Sequence, residues 1–373
     1  MVGRPQGATG AIFPNASLLP TTNDRRPTTF FPLCYKIHLE PLTHFLTGAC
    51  LARAGFNRKT ALATATMTLA AEAPDLDVVG TFKGPVFGFA HHRGFTHSFV
   101  GLILMSALVV GFMYLIWWLR GRKTNIPNLP PRWGLLFLFA YIAGLSHILL
   151  DYTNNYGVHP FWPFSETWYS WDIVFIVEPL LYLFLGLGLI APLIFSRHKP
   201  LPRGRTAAIL ALVCVAGLYT VRDHEHRGAL HALEAQTFDA APPVRVSVYP
   251  YPVTVTRWYA VIETRNAFVT SDVNSLSGRL DPDGSLTIAK PLETPAMQAA
   301  KQSDFGSVYL AWAQYPLLTE EKSGADTIVY FHDLRFGYPS MRGRNMLSGS
   351  IELDGHLHIV TERMGTRTQR PPD

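Results

Sequence analysis

The sequence predicts a membrane-embedded all-α bundle of about four to six helices, followed by a smaller, soluble, mainly β domain. Three observations carry this. Of 373 residues, 48% are hydrophobic and only 16% charged, well under the roughly one quarter charged that is usual for a globular domain. Two apolar runs, Ser98 to Leu119 and Ile173 to Phe195, each reach the roughly 20 residues a helix needs to cross a bilayer. Near Val221 a text rich in Leu, Phe, Trp and Gly gives way to Asp, Glu, Thr and alternating β-formers. The expected divisions are 1–40, 41–226 and 227–373.

Residues 1–40 hold Pro, Thr, Asn and Arg with no sustained apolar core, so they read as a disordered leader and not as a secretory signal. Thr43 to Ala54 and Thr60 to Pro74 are apolar and rich in small residues, joined by Gly55-Phe56-Asn57-Arg58-Lys59. They form a tight helix hairpin, either partly inserted or packed on longer spans, where Gly and Ala permit close approach. Ser98 to Leu119 and Ile173 to Phe195 are full spans. Gly134 to Leu150 and Thr206 to Val221 are shorter spans flanked by charge.

Orientation follows from the basic loops. Arg120, Arg122, Lys123 and Arg132 follow the first long span, and Arg197, Lys199, Arg203 and Arg205 follow the other. Both loops are expected in the cytoplasm, with Arg53, Arg58 and Lys59 beside them. His44, Asp75, Asp77, His92, His97, His147, Asp151 and Asp172 then fall at the opposite helix ends, on the outer face. A basic leader (Arg4, Arg25, Arg26, Lys36) on that face would break the rule unless the first hairpin is re-entrant.

After Val221, strands are expected at Arg245 to Arg257, Trp258 to Thr270, Ser307 to Ala313, Thr327 to Arg335 and Ser350 to Val360. Turn signals such as Asp281-Pro282-Asp283-Gly284 and Asp354-Gly355 separate them. No nucleophile elbow, phosphate loop or zinc-ligand spacing occurs there. His356 and His358, two apart, would share one strand face.

The net charge of +5 is spread over loops and not gathered on one basic face, so no nucleic-acid partner is expected. Cys34, Cys50 and Cys214 lack CxxC spacing, which excludes a disulfide framework and a thiolate zinc site. A metal here has nitrogen and oxygen ligands.

His147 and Asp151 stand four apart, on one helix face. His91, His92 and His97 crowd directly before a span. Arg93, among them, suits an anionic oxygen through its forked donors. Asp75 and Asp77 can flank or bridge adjacent metals, and Glu178 is an intramembrane carboxylate, hence a functional candidate, either as a ligand or as a partner that orients a histidine. His159 is a weaker ligand candidate. Asp223, His224, Glu225 and His226 read as hydrated groups just outside the last span.

PLTHFLTG at 41–48, PDLD at 74–77, HHRGFTHS at 91–98, SHILLD at 146–151 and WDIVFIVEP at 171–179 resemble the YdjM-type (DUF457) inner-membrane proteins, a family described as metal-dependent hydrolases. The similarity covers about residues 41–226. It implies a metal set of His44, Asp77, His92, His97, His147 and Asp151, in a multi-pass protein of the bacterial inner membrane with a periplasmic C-terminal domain. The ligand order is more distantly similar to zinc-dependent phospholipase C and P1 nuclease, but lacks their later His-x3-Glu unless Glu178 substitutes for it.

The expected function is a membrane-bound hydrolase whose outer-face site holds one or two divalent ions, zinc first and manganese next. A phosphoester or lipid-like substrate would be taken from the bilayer, with Asp75, Arg93 and Glu178 as catalytic residues. The alternatives are a metal transporter or a non-enzymatic envelope scaffold. A transporter should carry polar groups toward both faces, whereas here the cytoplasmic halves of the spans are bare of them.

Overall fold

The computed structural model describes residues 41–124, 129–195, 203–238, 240–339, 347–365 and 367–369. The expected leader lies outside these residues.

Seven helices come first: α1 (Pro41–Ala54), α2 (Ala63–Glu72), α3 (Pro85–His91), α4 (Phe99–Leu119), α5 (Trp133–Thr153), α6 (Pro179–Phe195) and α7 (Arg203–Glu234). The expected hairpin is α1 and α2. They approach closely because Gly48 faces Met67 and Ala71, where a Cβ would come within 2.7 Å of the Met67 carbonyl. The PDLD motif sits in a 3-10 segment, Ala73–Lys83, that continues from α2.

Among the described residues, three helices are long and apolar enough to cross a membrane: Phe99–Leu119, Trp133–Thr153 and the stretch Gly204–Glu234 within α7. The expected full span from Ile173 begins as a helix only at Pro179, leaving a shorter apolar helix. Proline suits the first helical turn and disfavours the α conformation in the residue before it, so the helix starts at Pro179 and residues 173–178 are not helical. On α4, Val100, Ile103, Leu104, Leu108, Phe112 and Leu115 are exposed. An apolar helix with its outer side bare is suited to lipid.

The basic segments meet at one end of the bundle. Arg205 donates through Nε to the Ala54 carbonyl at 2.8 Å, Arg53 donates to the Leu189 carbonyl at 2.8 Å, and the Arg132 N–H donates to the Thr60 hydroxyl at 2.7 Å. The His/Asp motifs lie at the other end.

The composition break near Val221 and the division at 226/227 both fall inside α7, which runs unbroken for 32 residues. At 1.5 Å per residue that is about 48 Å, more than the roughly 30 Å hydrocarbon core. Its last turns enter the C-terminal domain, where Ala229 and Leu233 pack with Val248, Trp258 and Ala260. Asp223, Glu225 and His226 are therefore engaged: they accept from Trp171, accept from Ser275 and pair with the Val248 carbonyl.

Beyond α7 lie two antiparallel sheets. The first joins β1 (Arg245–Pro250), β2 (Arg257–Glu263), β3 (Ala267–Asn274) and β4 (Arg279–Leu280), with β5 (Leu286–Ala289) also on β3. The second runs, in sequence order, β6 (Pro316–Ser323), β7 (Asp326–Asp333), β8 (Gly349–Leu353), β9 (Ile359–Met364) and β10 (Arg367–Gln369). Between the two sheets in chain order come α8 (Pro295–Lys301) and α9 (Asp304–Trp312).

The expected strand at Ser307 to Ala313 is thus a helix. Ser303 caps it by accepting from the Gly306 N–H at 2.9 Å, and Phe305, Tyr309 and Trp312 line its buried face at helical spacing. His356 and His358 do not share a strand face; they sit in the exposed turn between β8 and β9, held by Asp354.

The two parts share cores. Val86, Phe89 and Tyr156 of the helical part pack with Phe305, Tyr309, Trp312 and Phe331, and Phe175 packs with Tyr249, Tyr251 and Tyr338. The second sheet and α9 thus rest on the segment that follows α5, close above the His/Asp motifs.

Candidate metal centre

Four elements deliver the polar groups. α1 brings His44, the 3-10 segment brings Asp75 and Asp77, the turn before α4 brings His92, Arg93 and His97, and α5 brings His147 and Asp151. The turn is sharp: Ser98 caps α4 through the Gly101 N–H at 2.9 Å. Any Cβ on Gly101 would collide with the Phe95 carbonyl. Glycine at that point lets the chain fold back so that His97 points into the bundle.

One donor atom from each of Asp75, His97, His147 and Asp151 lies within 4.8 Å of the other three, and all four residues are buried. The Nε2 atoms of His97 and His147 are 3.0 Å apart. Asp151 Oδ2 is 3.3 Å from the first and 3.2 Å from the second. Asp75 Oδ1 is 3.4 Å and 3.6 Å from the same two atoms. A tetrahedral ion with ligand bonds of 2.0–2.1 Å has ligand-to-ligand edges of about 3.3 Å, and these five separations lie close to that value.

Chemistry supports the same reading. The His147 Nδ1–H donates to the Ala71 carbonyl at 2.6 Å, and His97 Nδ1 is 3.3 Å from Asp77 Oδ2. The Ala71 carbonyl fixes the His147 tautomer and leaves its Nε2 facing inward, the outer arrangement of a metal-ligating histidine, while His97 Nδ1 also lies 3.1 Å from the Thr96 hydroxyl. At 3.0 Å the two Nε2 atoms can share one proton in an N–H···N hydrogen bond or ligate one cation placed between them. Burial alone would lower the His97 pKa; the carboxylates of Asp151, Asp75 and Asp77 outweigh it and raise the pKa well above the ordinary imidazole value. Burial alone would raise that of Asp75, and the imidazoles of His147, His97 and His44 outweigh it and lower it. The pocket favours a positive centre, and the donor set of two nitrogens and two oxygens could hold a divalent ion. Two buried oxygens of the set, Asp75 Oδ2 and Asp151 Oδ2, have no hydrogen-bond partner.

The other candidates surround this group. Asp77 accepts from His92 Nδ1 at 3.0 Å and from the Arg93 backbone N–H at 2.8 Å, so both its oxygens serve neighbouring groups. His92 is reached through Asp77. His44 stacks on His147 with ring centroids 3.8 Å apart, and its Nε2 is 3.6 Å from Asp151 Oδ1.

Arg93 is bound by groups of the protein on both terminal nitrogens. Its NH2 pairs with Asp151 Oδ1 at 2.7 Å, and NH1 donates to Asn154 Oδ1 and the Gly157 carbonyl at 3.2 and 3.0 Å.

Glu178 is placed elsewhere. It pairs with Arg222 at 2.7 Å, both side chains fully buried, and accepts from the Val253 N–H at 3.0 Å. His159 stacks edge-on against Trp168. Sequence reasoning passed over Glu72, whose Oε1 is buried without a partner. Its signal was the three-residue spacing to Asp75, one helical turn.

A family model described as YdjM inner membrane protein matches residues 39–227, the stretch that holds every residue of this site. The chain is also similar to the uncharacterized protein YfhP of Bacillus subtilis (strain 168). The two are 26% identical over 265 residues, which cover 71% of this chain and 73% of that protein. No solved structure matches.

Proposed function

The chain belongs to the YdjM inner membrane protein family, and from that premise we propose that it is a membrane-bound metal-dependent hydrolase acting on a phosphoester or lipid-like substrate. The observation that carries the proposal is the convergence of Asp75, His97, His147 and Asp151 donor atoms in one buried shell. Mixed nitrogen and oxygen ligands at tetrahedral spacing suit zinc first and manganese next. A divalent ion held there supplies Lewis acidity toward a phosphoryl or acyl oxygen and toward water.

The protein's own groups do the rest. Asp77 and the Ala71 carbonyl hold the two imidazoles in the ligating tautomer. Arg93 holds Asp151 in place. Glu72, outside the ligand group and with a free Oε1, takes the proton from the attacking water.

A lipid-like substrate is supported by the position of the site at the head of α4. His97 lies two residues before the exposed Phe99, and Phe95, Phe161 and Trp162 cluster around that helix start. Aromatic side chains of this kind favour the headgroup level of a bilayer. The basic helix ends support a cytoplasmic reading of that end, and with it an outer-side reading of the centre and the C-terminal domain.

The test is hydrolysis of phosphodiester and phospholipid analogues by the detergent-solubilised full chain. Activity should vanish with a chelator, return with zinc or manganese, and be lost in Glu72→Gln with membrane insertion unchanged. Hydrolysis indifferent to chelation, or none by any metal-loaded form, overturns the proposal.

A further inference from the structure

The C-terminal domain reaches the metal centre through a short relay of hydrogen bonds. Asp151 is held by Arg93 at 2.7 Å. Arg93 is itself held by the segment Asn154–Gly157, through Asn154 Oδ1 at 3.2 Å and the Gly157 carbonyl at 3.0 Å, and lies over the Tyr156 ring at 4.7 Å. Inside that segment the Tyr156 N–H donates to Asn154 Oδ1 at 2.9 Å, so the acceptor that Arg93 uses is set by the backbone at Tyr156.

Two side chains of the C-terminal domain grip that backbone. Trp312 Nε1–H donates to the Tyr156 carbonyl at 3.0 Å, and its ring lies against that of Tyr156 at 5.1 Å. Arg335 NH1 donates to the Asn155 carbonyl at 3.0 Å. Arg335 is in turn locked: Nε donates to Asp333 Oδ2 at 2.8 Å, NH2 donates to the Trp312 carbonyl at 3.1 Å, and its guanidinium lies over the Trp312 ring.

Arg335 and Asp333 are buried almost completely. Apolar residues of similar volume in such a place are often neutral or stabilising, so stability alone does not account for a charged pair here. What the pair adds is direction: a planar fork with fixed donors ties two carbonyls of different elements to one carboxylate.

We propose that Trp312 and Arg335 are positioning residues of the metal centre, so that the C-terminal domain completes the site instead of merely accompanying it. The inference rests on the metal-centre reading above. It gives the domain a role in the geometry of Asp151 and, through it, in metal affinity.

Cobalt(II) titration of the full chain in detergent, followed by its d–d absorption, tests this. Trp312→Phe keeps the ring and removes the donor; Arg335→Lys keeps the charge and removes the fork. Val273→Ala, in the first sheet and away from the relay, controls for loss of domain stability. The expected result is a ~10-fold weaker cobalt affinity, the lower end of what outer-shell partners contribute, and an altered absorption band in the first two variants. Val273→Ala should match the wild type. Wild-type affinity and spectrum in both Trp312→Phe and Arg335→Lys overturn the inference, as does an equal loss in Val273→Ala. A wild-type chain that binds no cobalt overturns the metal-centre reading and the inference with it.

Discussion

The Nε2 atoms of His97 and His147 face each other at 3.0 Å, each ring contacted on its far side by an acceptor, Asp77 for His97 and the Ala71 carbonyl for His147. Two carboxylate oxygens, from Asp75 and Asp151, join them in a buried group that could hold a metal ion.

Asp77 is the residue whose removal isolates this effect. It contacts the back of His97 and binds His92, but contributes no donor to the four-atom group. Asp77→Asn should keep the fold and weaken zinc binding roughly 10-fold to 100-fold, as for other outer-shell partners of ligating histidines. Competition against a chromophoric chelator reads the change, and an unaltered affinity would remove Asp77 from the centre.

Glu178 provides the contrasting case. Its partner is Arg222, at 2.7 Å with both side chains fully buried, and removing one member of such a pair strands the other charge. Glu178→Gln should therefore cost about 3–5 kcal/mol of stability, seen as a lower thermal midpoint, while bound metal per folded chain stays at the wild-type value. Loss of metal without loss of stability would return Glu178 to the site.

Much of the centre was legible in the sequence because its ligands come in local pairs. His147 and Asp151 are four apart on α5, and the HRGFTHS turn brings His97 beside them. The choice between Asp75 and Asp77 was not legible. In a 3-10 segment with three residues per turn, residues two apart diverge in direction: Asp75 meets the inner nitrogens and Asp77 the outer one. Glu178 looked catalytic because its cation lies far along the chain on α7, and no local pattern reports a pairing of that range. The misread strand at Ser307 to Ala313 has the same origin in part, since Phe305, Tyr309 and Trp312 fit helical spacing while Val308, Leu310 and Trp312 also alternate. The helix boundary at Pro179 was readable from the proline itself.

Asp172 gives a pH dependence of defined sign. Burial is the main cause that raises its carboxyl from 3.8 to about 6. The folded state thus holds its proton more tightly than the unfolded chain, and stability falls as pH rises through that window. Asp172→Asn should raise the thermal midpoint at pH 7.5 and change it little at pH 4. The same increment at both values would show that its charge is not the cause.

Orientation is tested by impermeant thiol labelling. Phe164, 84% exposed, lies in the loop beside the start of α4, and Lys123 lies beyond its other end. Phe164→Cys in intact spheroplasts should label from outside, and Lys123→Cys only after permeabilisation. The reverse pattern would put the centre on the cytoplasmic face.

The most direct measurement is the metal content of the purified full chain, by mass spectrometry, for the wild type and for the His147→Ala, Asp151→Ala double variant. The expected result is about one zinc or manganese ion per wild-type chain, as one four-ligand shell would hold, and its loss in the double variant at unchanged membrane insertion. Wild type and variant carrying equally little of either metal would contradict the account.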